Sequence, residues 1–153
     1  MKTRNGFVSN SSSSSFIIAV GKVIDREKAL SFFESCDMLE YFWSINKLSD
    51  INKQYLATVN DSEIVVECFE GSSVKLDRSL LKEDDEVLVI YIANNEGDGG
   101  IFDGYIGNGE YGEINYDISL SDLPKRQVRL YDGLNEENGI IHVDKKYGAG
   151  RND

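Results

Sequence analysis

The sequence predicts an α+β domain, in which a mixed or antiparallel sheet of about five to six strands packs one face against one main helix. Three stretches of the chain carry this prediction. Phe16–Val20 is a short apolar run ended by a glycine, and Glu86–Ala93 is nearly all apolar and β-branched. Between them, residues 26–47 place apolar side chains at helical spacing. Apolar strands beside an amphipathic helix are typical of a sheet covered by a helix on one face.

The main helix is expected from about residue 26 to residue 47. Asp25 is a good N-cap residue, and Glu27 lies in the first turn, where a negative charge favours the helix. The apolar side chains that recur three and four residues apart are Ala29, Phe32, Phe33, Cys36, Leu39 and Trp43. A break near Asp37 is compatible with this pattern. At helical spacing, such an aromatic-rich stretch is typical of a core.

Strands and turns make up most of the remaining chain. The segments predicted as strands after the helix are Tyr55–Val59, Glu63–Glu70, Glu86–Ala93, Glu113–Ser119 and Gly139–Asp144. The first two form a hairpin around residues 60–62, and the third is apolar enough to be a central strand buried on both faces. Ser79–Asp85 is expected to form a helical turn. A short helix is expected between Pro124 and Gly133.

Length and composition indicate one globular domain. The chain has 153 residues, of which 41% are hydrophobic and 28% charged, and a chain of this size can bury one proper core. We divide it into a Ser-rich peptide, 1–15, and a single acidic α+β domain, 16–153. Cys36 and Cys68 are expected to be reduced, buried thiols. No apolar run reaches the roughly 18 residues that a membrane span needs. Polar serines stand where a signal peptide would be apolar, so we expect a cytoplasmic protein without membrane contact.

The negative charge is concentrated in one part of the chain. Residues 61–122 contain 16 acidic and three basic residues, a net charge of −13, whereas the other residues together carry +2. Such a segment repels phosphate backbones, so direct nucleic-acid binding through it is not expected. It favours basic protein surfaces, although a solvated acidic face that only keeps the protein soluble would have the same composition.

The Gly-rich segment 94–112 holds most of the candidate binding residues. Residues 107–112 match G-x-G-x-x-G, but a strand-like segment follows them where a dinucleotide site needs a helix. Residues 94–105 partly match a calcium loop, but Tyr105 stands where the bidentate Glu belongs. We therefore expect no cofactor and no dedicated metal site. The candidate binding residues in this segment and at the end of the chain are Glu96, Asp98, Asp103, Glu110 and Arg151.

No residue pattern indicates catalysis. The single histidine, His142, lies between Ile141 and Val143 in a predicted strand, which is typical of a structural role. Two cysteines and one histidine cannot complete a closed zinc site without carboxylates. We assign no catalytic residue and favour a protein that is not an enzyme.

A serine tract near the start of the chain lies between two apolar stretches. It consists of Ser11, Ser12, Ser13, Ser14 and Ser15, with Phe7 and Val8 before it and Phe16–Val20 after it. A flexible leader would not need these apolar flanks. Two functions are open: an anion-binding loop built from backbone N–H groups and hydroxyls, or a site of modification that adds negative charge.

The opening peptide GFVSNSSSSSF, within residues 4–16, resembles an N-terminal signature of small uncharacterised phage-associated proteins. The resemblance covers about 15 of 153 residues. It implies a phage origin and therefore a host cell as the setting, and it carries no assigned activity or catalytic residues.

These observations lead to one functional hypothesis and two alternatives. The first is a non-enzymatic phage accessory protein that docks a basic surface of a host protein through its acidic region, 61–122, as an inhibitor or a nucleic-acid mimic. The second is a binder of a small ligand, nucleotide or cation at segment 94–112. The third is a minor component of the virion. The sequence does not indicate an oligomeric state.

Overall fold

The computed structural model describes residues 13–36, 43–53, 57–67, 73–95, 100–101, 113–115, 120–123 and 125–151. Within them the chain forms an α+β fold of three layers, which confirms the predicted fold class. The strands are β1 Ser13–Val23, β2 Trp43–Lys47, β3 Ala57–Val59, β4 Glu63–Glu67, β5 Ser73–Asp77, β6 Glu86–Asn95, β7 Gly100–Ile101, β8 Glu113–Asn115 and β9 Ile140–Arg151. The α-helices are α1 Arg26–Ser35 and α2 Lys125–Asp132, and short 3-10 helices span Leu48–Lys53, Arg78–Leu80, Leu120–Asp122 and Glu136–Asn138.

All described strand pairs are antiparallel. The larger sheet has the order β2-β6-β1-β9-β8, and β7 also pairs with β6; the smaller sheet has the order β3-β4-β5. The predicted hairpin is confirmed, because β3 and β4 pair across the turn at residues 60–62. The predicted central strand is also confirmed, because β6 lies between β2 and β1.

Two hydrophobic cores lie on opposite faces of the larger sheet. Successive side chains of a strand point to opposite faces, so β1 sends Phe16, Ile18 and Val20 to one core and Ala19 to the other. The first core is closed by the smaller sheet, with Ile64, Val66, Val74 and Leu76, and by the 3-10 helix Leu48–Lys53. The second core is closed by α1 and α2, with Ala29, Phe32, Phe33, Cys36 and Leu130. The helices and the smaller sheet therefore cover opposite faces of the larger sheet.

The main helix begins where the sequence predicts and ends earlier. The Asp25 carboxylate accepts a hydrogen bond from the Lys28 backbone N–H at 3.1 Å, as an N-cap should. However, α1 ends at Ser35, and Trp43–Lys47 forms strand β2 instead of a continued helix. Trp43 contacts the same core as α1 from the sheet, with its ring 4.7 Å from that of Phe33. The main helix is therefore confirmed over Arg26–Ser35, residues 37–42 lie outside the described residues, and Trp43–Lys47 is a strand where the sequence predicts helix.

Strand β9 is longer than predicted and contains a bulge. Val20 of β1 pairs with Asp144, and Lys22 pairs with Ile141, so two residues of β9 oppose the single residue Gly21. One of them, His142, has a φ of +54°, a left-handed conformation that few residues other than glycine adopt. His142 is exposed at this bulge.

Candidate functional site

The structure describes few of the residues predicted to bind ligands. Glu96, Asp98, Asp103 and Glu110 lie outside the described residues, as do Ser11 and Ser12. Ser13, Ser14 and Ser15 begin β1, and Arg151 ends β9, where it pairs with Ser13. The last part of the serine tract and the C-terminal arginine are therefore neighbours in the larger sheet.

Six described acidic residues of the acidic region lie in or beside three turns that are bonded to one another. We call this surface the acidic end, and its carboxylates are Asp61, Asp77, Glu83, Asp84, Asp85 and Glu86. The backbone N–H of Arg78 donates to Ser62 O at 2.9 Å, and its Nη1 donates to Asn60 O at 3.1 Å. Lys22 Nζ contacts both Leu80 O and Asp85 Oδ2 at 3.3 Å. These bonds tie the β3–β4 turn, the 3-10 helix Arg78–Leu80 and the turn before β6 to one another.

Side-chain hydrogen bonds fix the shape of each turn. Asn60 Oδ1 accepts from the backbone N–H groups of Ser62 and Glu63 at 2.9 and 3.0 Å. Asp77 caps the 3-10 helix by accepting from Ser79 N at 2.8 Å. Asp85 accepts from Lys82 N at 2.6 Å. The acidic end is thus a set of hydrogen-bonded turns with a defined backbone.

These hydrogen bonds also stabilise the ionised form of two carboxylates. The backbone N–H of Ser79 lowers the pKa of Asp77, and the backbone N–H of Lys82 lowers that of Asp85. A carboxyl group whose pKa is lower in the folded state stabilises the fold above its unfolded pKa, and this stabilisation is lost as the pH falls through the folded pKa.

We therefore expect the free energy of unfolding to fall as the pH drops below 3.8, the ordinary pKa of aspartate. Denaturant titrations at a series of pH values measure this slope, and Asp85→Asn should flatten it. Asp84→Asn is the matched control, because Asp84 is an exposed neighbour without an ion pair among the described residues. An equal slope for wild type and Asp85→Asn would contradict the assignment.

Only some carboxylates of the acidic end are neutralised within the molecule. Asp85 pairs with Lys22, and Glu86 pairs with Arg26. Asp61, Glu83 and Asp84 are exposed and have no ion pair among the described residues. Three carboxylates therefore remain available to a partner without breaking an internal bond.

Two apolar side chains are exposed within or beside the acidic end. Leu80 keeps 38% of its surface exposed and lies three residues from both Asp77 and Glu83. Ile24 keeps 48% of its surface exposed and lies between Lys22 and Arg26 in the chain. These two residues form ion pairs with Asp85 and Glu86 at the start of β6. Exposed aliphatic side chains with charged neighbours in the chain are a combination found in protein interfaces.

Two clefts open on either side of Arg78. One, of about 470 Å³, is polar and is lined by Asp61, Ser62, Asp77, Arg78 and Ser79. The other, of about 350 Å³, has a mixed lining of apolar and polar residues: Leu48, Ile51, Val59, Ser49, Arg78 and Glu83. Arg78 lines both clefts, and its Nη1 donates to Asn60 O at 3.1 Å.

A further cleft, of about 630 Å³, lies between α1 and α2. It is lined by Glu27, Lys28, Ser31, Phe32, Ser35, Arg129, Glu137 and Asn138. Arg129 donates to Ser35 O at 2.8 Å and to Ser35 Oγ at 3.3 Å, and so caps the end of α1. The two acidic and two basic side chains of this lining balance in charge, and Arg129 is engaged in holding the end of α1.

Among the described residues, the potential metal ligands are not clustered and the cysteine thiol is buried. Among them no cluster of three or more His, Cys, Asp or Glu residues is placed to hold a metal ion. Cys36 is a free, buried thiol, and burial raises its pKa, which keeps it protonated and unreactive. Neither described helix is long and apolar enough to cross a membrane.

Comparisons with protein families, with curated proteins and with solved structures find no significant match to this chain. The geometry of the acidic end is therefore the basis for the functional proposal that follows.

Proposed function

We propose that this protein is a non-enzymatic binding module that docks a basic surface of another protein through its acidic end. The observation that carries the proposal is the set of three exposed carboxylates without an internal cation, Asp61, Glu83 and Asp84. The exposed side chain of Leu80, three residues before Glu83 in the chain, adds an apolar contact. Charges of one sign steer a partner of the opposite sign and fix its orientation, while a desolvated apolar contact supplies most of the affinity. The acidic end offers both.

The partner class follows from the sign and placement of the charge. The region 61–122 carries a net charge of −13, so a partner must present lysine or arginine side chains to gain from the contact. The resemblance of the N-terminal peptide to phage-associated proteins implies that this partner is a host protein in the cytoplasm, inhibited or occupied through its basic surface.

The test compares capture of proteins from a host lysate by wild type and by two variants with the same change in charge. The site variant carries Asp61→Asn, Glu83→Gln and Asp84→Asn. The control variant carries Glu34→Gln, Asp132→Asn and Glu137→Gln, three exposed acids of the helical layer. A third variant, Leu80→Ser, removes an exposed apolar side chain of this surface.

We expect wild type and control to capture the same basic protein at about 0.1 M salt and to lose it at about 1 M, where the Debye length falls from about 10 to 3 Å. The site variant should not retain it. Leu80→Ser should weaken binding about fivefold or more, the effect of losing a residue that contributes over about 1 kcal/mol. Equal capture by the site and control variants would overturn the proposal.

A further inference from the structure

We propose that strand β2 is a self-association site, at which two copies of this chain pair edge to edge and join their larger sheets into one. β2 is the outermost strand at one side of the larger sheet, and no described strand pairs with its outer side. A strand edge of this kind presents a row of N–H and C=O groups that another strand can bond. The inference is independent of the docking proposal, because β2 contains none of the carboxylates of the acidic end.

The other edges of the two described sheets are shorter or already bonded. β3 and β8 have three residues each, and β7, which pairs with the far end of β6, has two. The edge of β5 is tied to β9, because the backbone N–H of Lys75 donates to Asp144 Oδ2 at 2.7 Å. β2 has five residues, without a proline and without a bulge in its pairing with β6. It is therefore the described edge that is best suited to bond a further strand.

The residue after β2 shows which backbone groups face outward. Leu48 N donates to Asp85 O at 2.8 Å, and these two residues are the next step of the β2–β6 register. Bonded and non-bonded pairs alternate along an antiparallel ladder, so Asn46 and Ser44 also bond β6. The N–H and C=O groups that point to the outer side are those of Trp43, Ile45 and Lys47. Among the described residues, none of these three has a backbone hydrogen bond outside the ladder with β6.

The sequence of β2 is complementary to itself in the antiparallel direction. In the register centred on Ile45, this residue faces Ile45 of the second copy, and Trp43 faces Lys47 of the second copy. All five residues of the strand are then paired. Each residue with outward N–H and C=O groups lies opposite another such residue, so both groups find a partner.

Side-chain contacts favour the same register. Trp43 and Ile45 pack against the core beneath the helices but remain only half-buried. Lys47 is exposed, and alternation along the strand places it on the same face. Pairing brings Lys47 of one copy beside the Trp43 ring of the other, where a cation–π contact forms. It also covers the exposed parts of the two Ile45 side chains. A second copy therefore supplies the apolar and the cationic contact together.

The negative charge of the chain opposes this pairing only over a long distance. The chain carries a net charge of −11, but Lys47 is the one charged residue of β2. The acidic end adjoins the Lys47 end of the strand, where Asp85 and Glu86 begin the partner strand β6. In an antiparallel pair these ends lie at opposite ends of the shared strands. Salt screens the remaining repulsion, so self-association should be as strong or stronger at about 1 M salt, where docking of a basic partner is lost.

Sedimentation velocity of the whole chain over a range of concentrations measures the association. We expect the mass to rise from one chain to two with concentration, and we expect no species beyond two, because a two-fold contact uses each β2 edge once. A mass of one chain at every concentration up to about 1 mM, the limit of a free energy near −4 kcal/mol, would overturn the inference.

Two double variants test the register. In the dimer Ser44 of one copy faces Asn46 of the other, so Ser44→Lys with Asn46→Lys sets ammonium groups against each other. We expect this variant to dimerise about tenfold more weakly, although it lowers the net negative charge of the chain. Ser44→Asp with Asn46→Lys sets opposite charges against each other and should dimerise at least as well as wild type. Equal effects of the two double variants would contradict the register.

A proline at residue 47 tests the strand edge itself. The N–H of Lys47 points outward, so Lys47→Pro removes no bond to β6 but takes a donor from the outer edge. We expect Lys47→Pro to keep the circular dichroism of wild type and to remain a single chain. Lys47→Ala, which keeps the N–H and loses only the contact with Trp43, should weaken the dimer less. A dimer that survives Lys47→Pro would be held by another surface and would overturn the inference, whereas the docking proposal depends only on the capture experiment.

Discussion

Gly139→Ala is expected to lower the free energy of unfolding by about 3 kcal/mol or more. Gly139 has a φ of +79°, and a side chain in this left-handed region costs about 1–2 kcal/mol. A Cβ atom at this position would also overlap the carbonyl oxygen and crowd the Cβ atom of Asp25. This steric cost adds to the conformational cost, because the carbonyl oxygen of Asp25 belongs to the backbone and cannot rotate away as a side chain could.

The position matters because Gly139 holds the start of α1. Its carbonyl oxygen accepts hydrogen bonds from the backbone N–H groups of Ile24 and Asp25 at 2.8 and 3.2 Å. Asp25 is in turn the N-cap of α1. Displacing residue 139 therefore disturbs the capping of the main helix and the approach of Ile24 to the acidic end.

Chemical denaturation measures the effect, and two variants separate its causes. Asn tolerates a positive φ better than Ala, so Gly139→Asn should recover part of the conformational cost and none of the overlap with Asp25. Ser31→Ala, at an exposed position of α1, should change stability by less than about 0.5 kcal/mol. A loss below about 1 kcal/mol for Gly139→Ala would contradict the close approach of the two backbone segments.

The sequence predicts the beginning of α1 better than its end, because the two depend on different interactions. The N-cap is a local interaction between Asp25 and Lys28, and such pairs can be recognised from spacing alone. Trp43–Lys47 forms a strand through its pairing with β6, some forty residues away in the chain. The helical spacing of Leu39 and Trp43 therefore gave a misleading signal, since long-range pairing overrides local periodicity.

The candidate site could be located from the sequence only in part. The excess of acids in residues 61–122 predicts an acidic surface, but it does not show which carboxylates are free. Asp85 and Glu86 are neutralised by Lys22 and Arg26, which come from the start of the chain. The bond from Arg78 to Asn60 O, which joins the 3-10 helix to the β3–β4 turn, likewise depends on the fold. No local pattern marks these contacts.

Gln127→Met is expected to raise the free energy of unfolding by about 1–3 kcal/mol. Gln127 lies in the first half of α2 and is completely buried. Among the described residues neither Oε1 nor Nε2 of its amide has a hydrogen-bond partner. Burying a polar group without a partner costs roughly 1–3 kcal/mol in proteins, and methionine has a similar length and shape without that cost.

The surroundings of α2 favour an apolar side chain at this position. Leu123 and Leu130, on either side of Gln127 in the chain, are also buried. The exposed face of the helix carries Lys125, Arg126 and Arg129 instead. Residue 127 therefore belongs to the inner face, where an unbranched apolar side chain can pack without displacing its neighbours.

Denaturant titration should show a higher midpoint with an unchanged slope for Gln127→Met, because the surface exposed on unfolding stays the same. Gln127→Glu is a control with the opposite expected effect on stability. A carboxylate in the same place must either be buried without a counter-ion or become protonated. Gln127→Glu should lower the free energy of unfolding, and this loss should be larger at neutral pH than at acidic pH. A loss of stability in Gln127→Met would instead show that the amide is bonded in solution, to water or to a bound molecule, and would make the inner face of α2 a second place to look for a ligand.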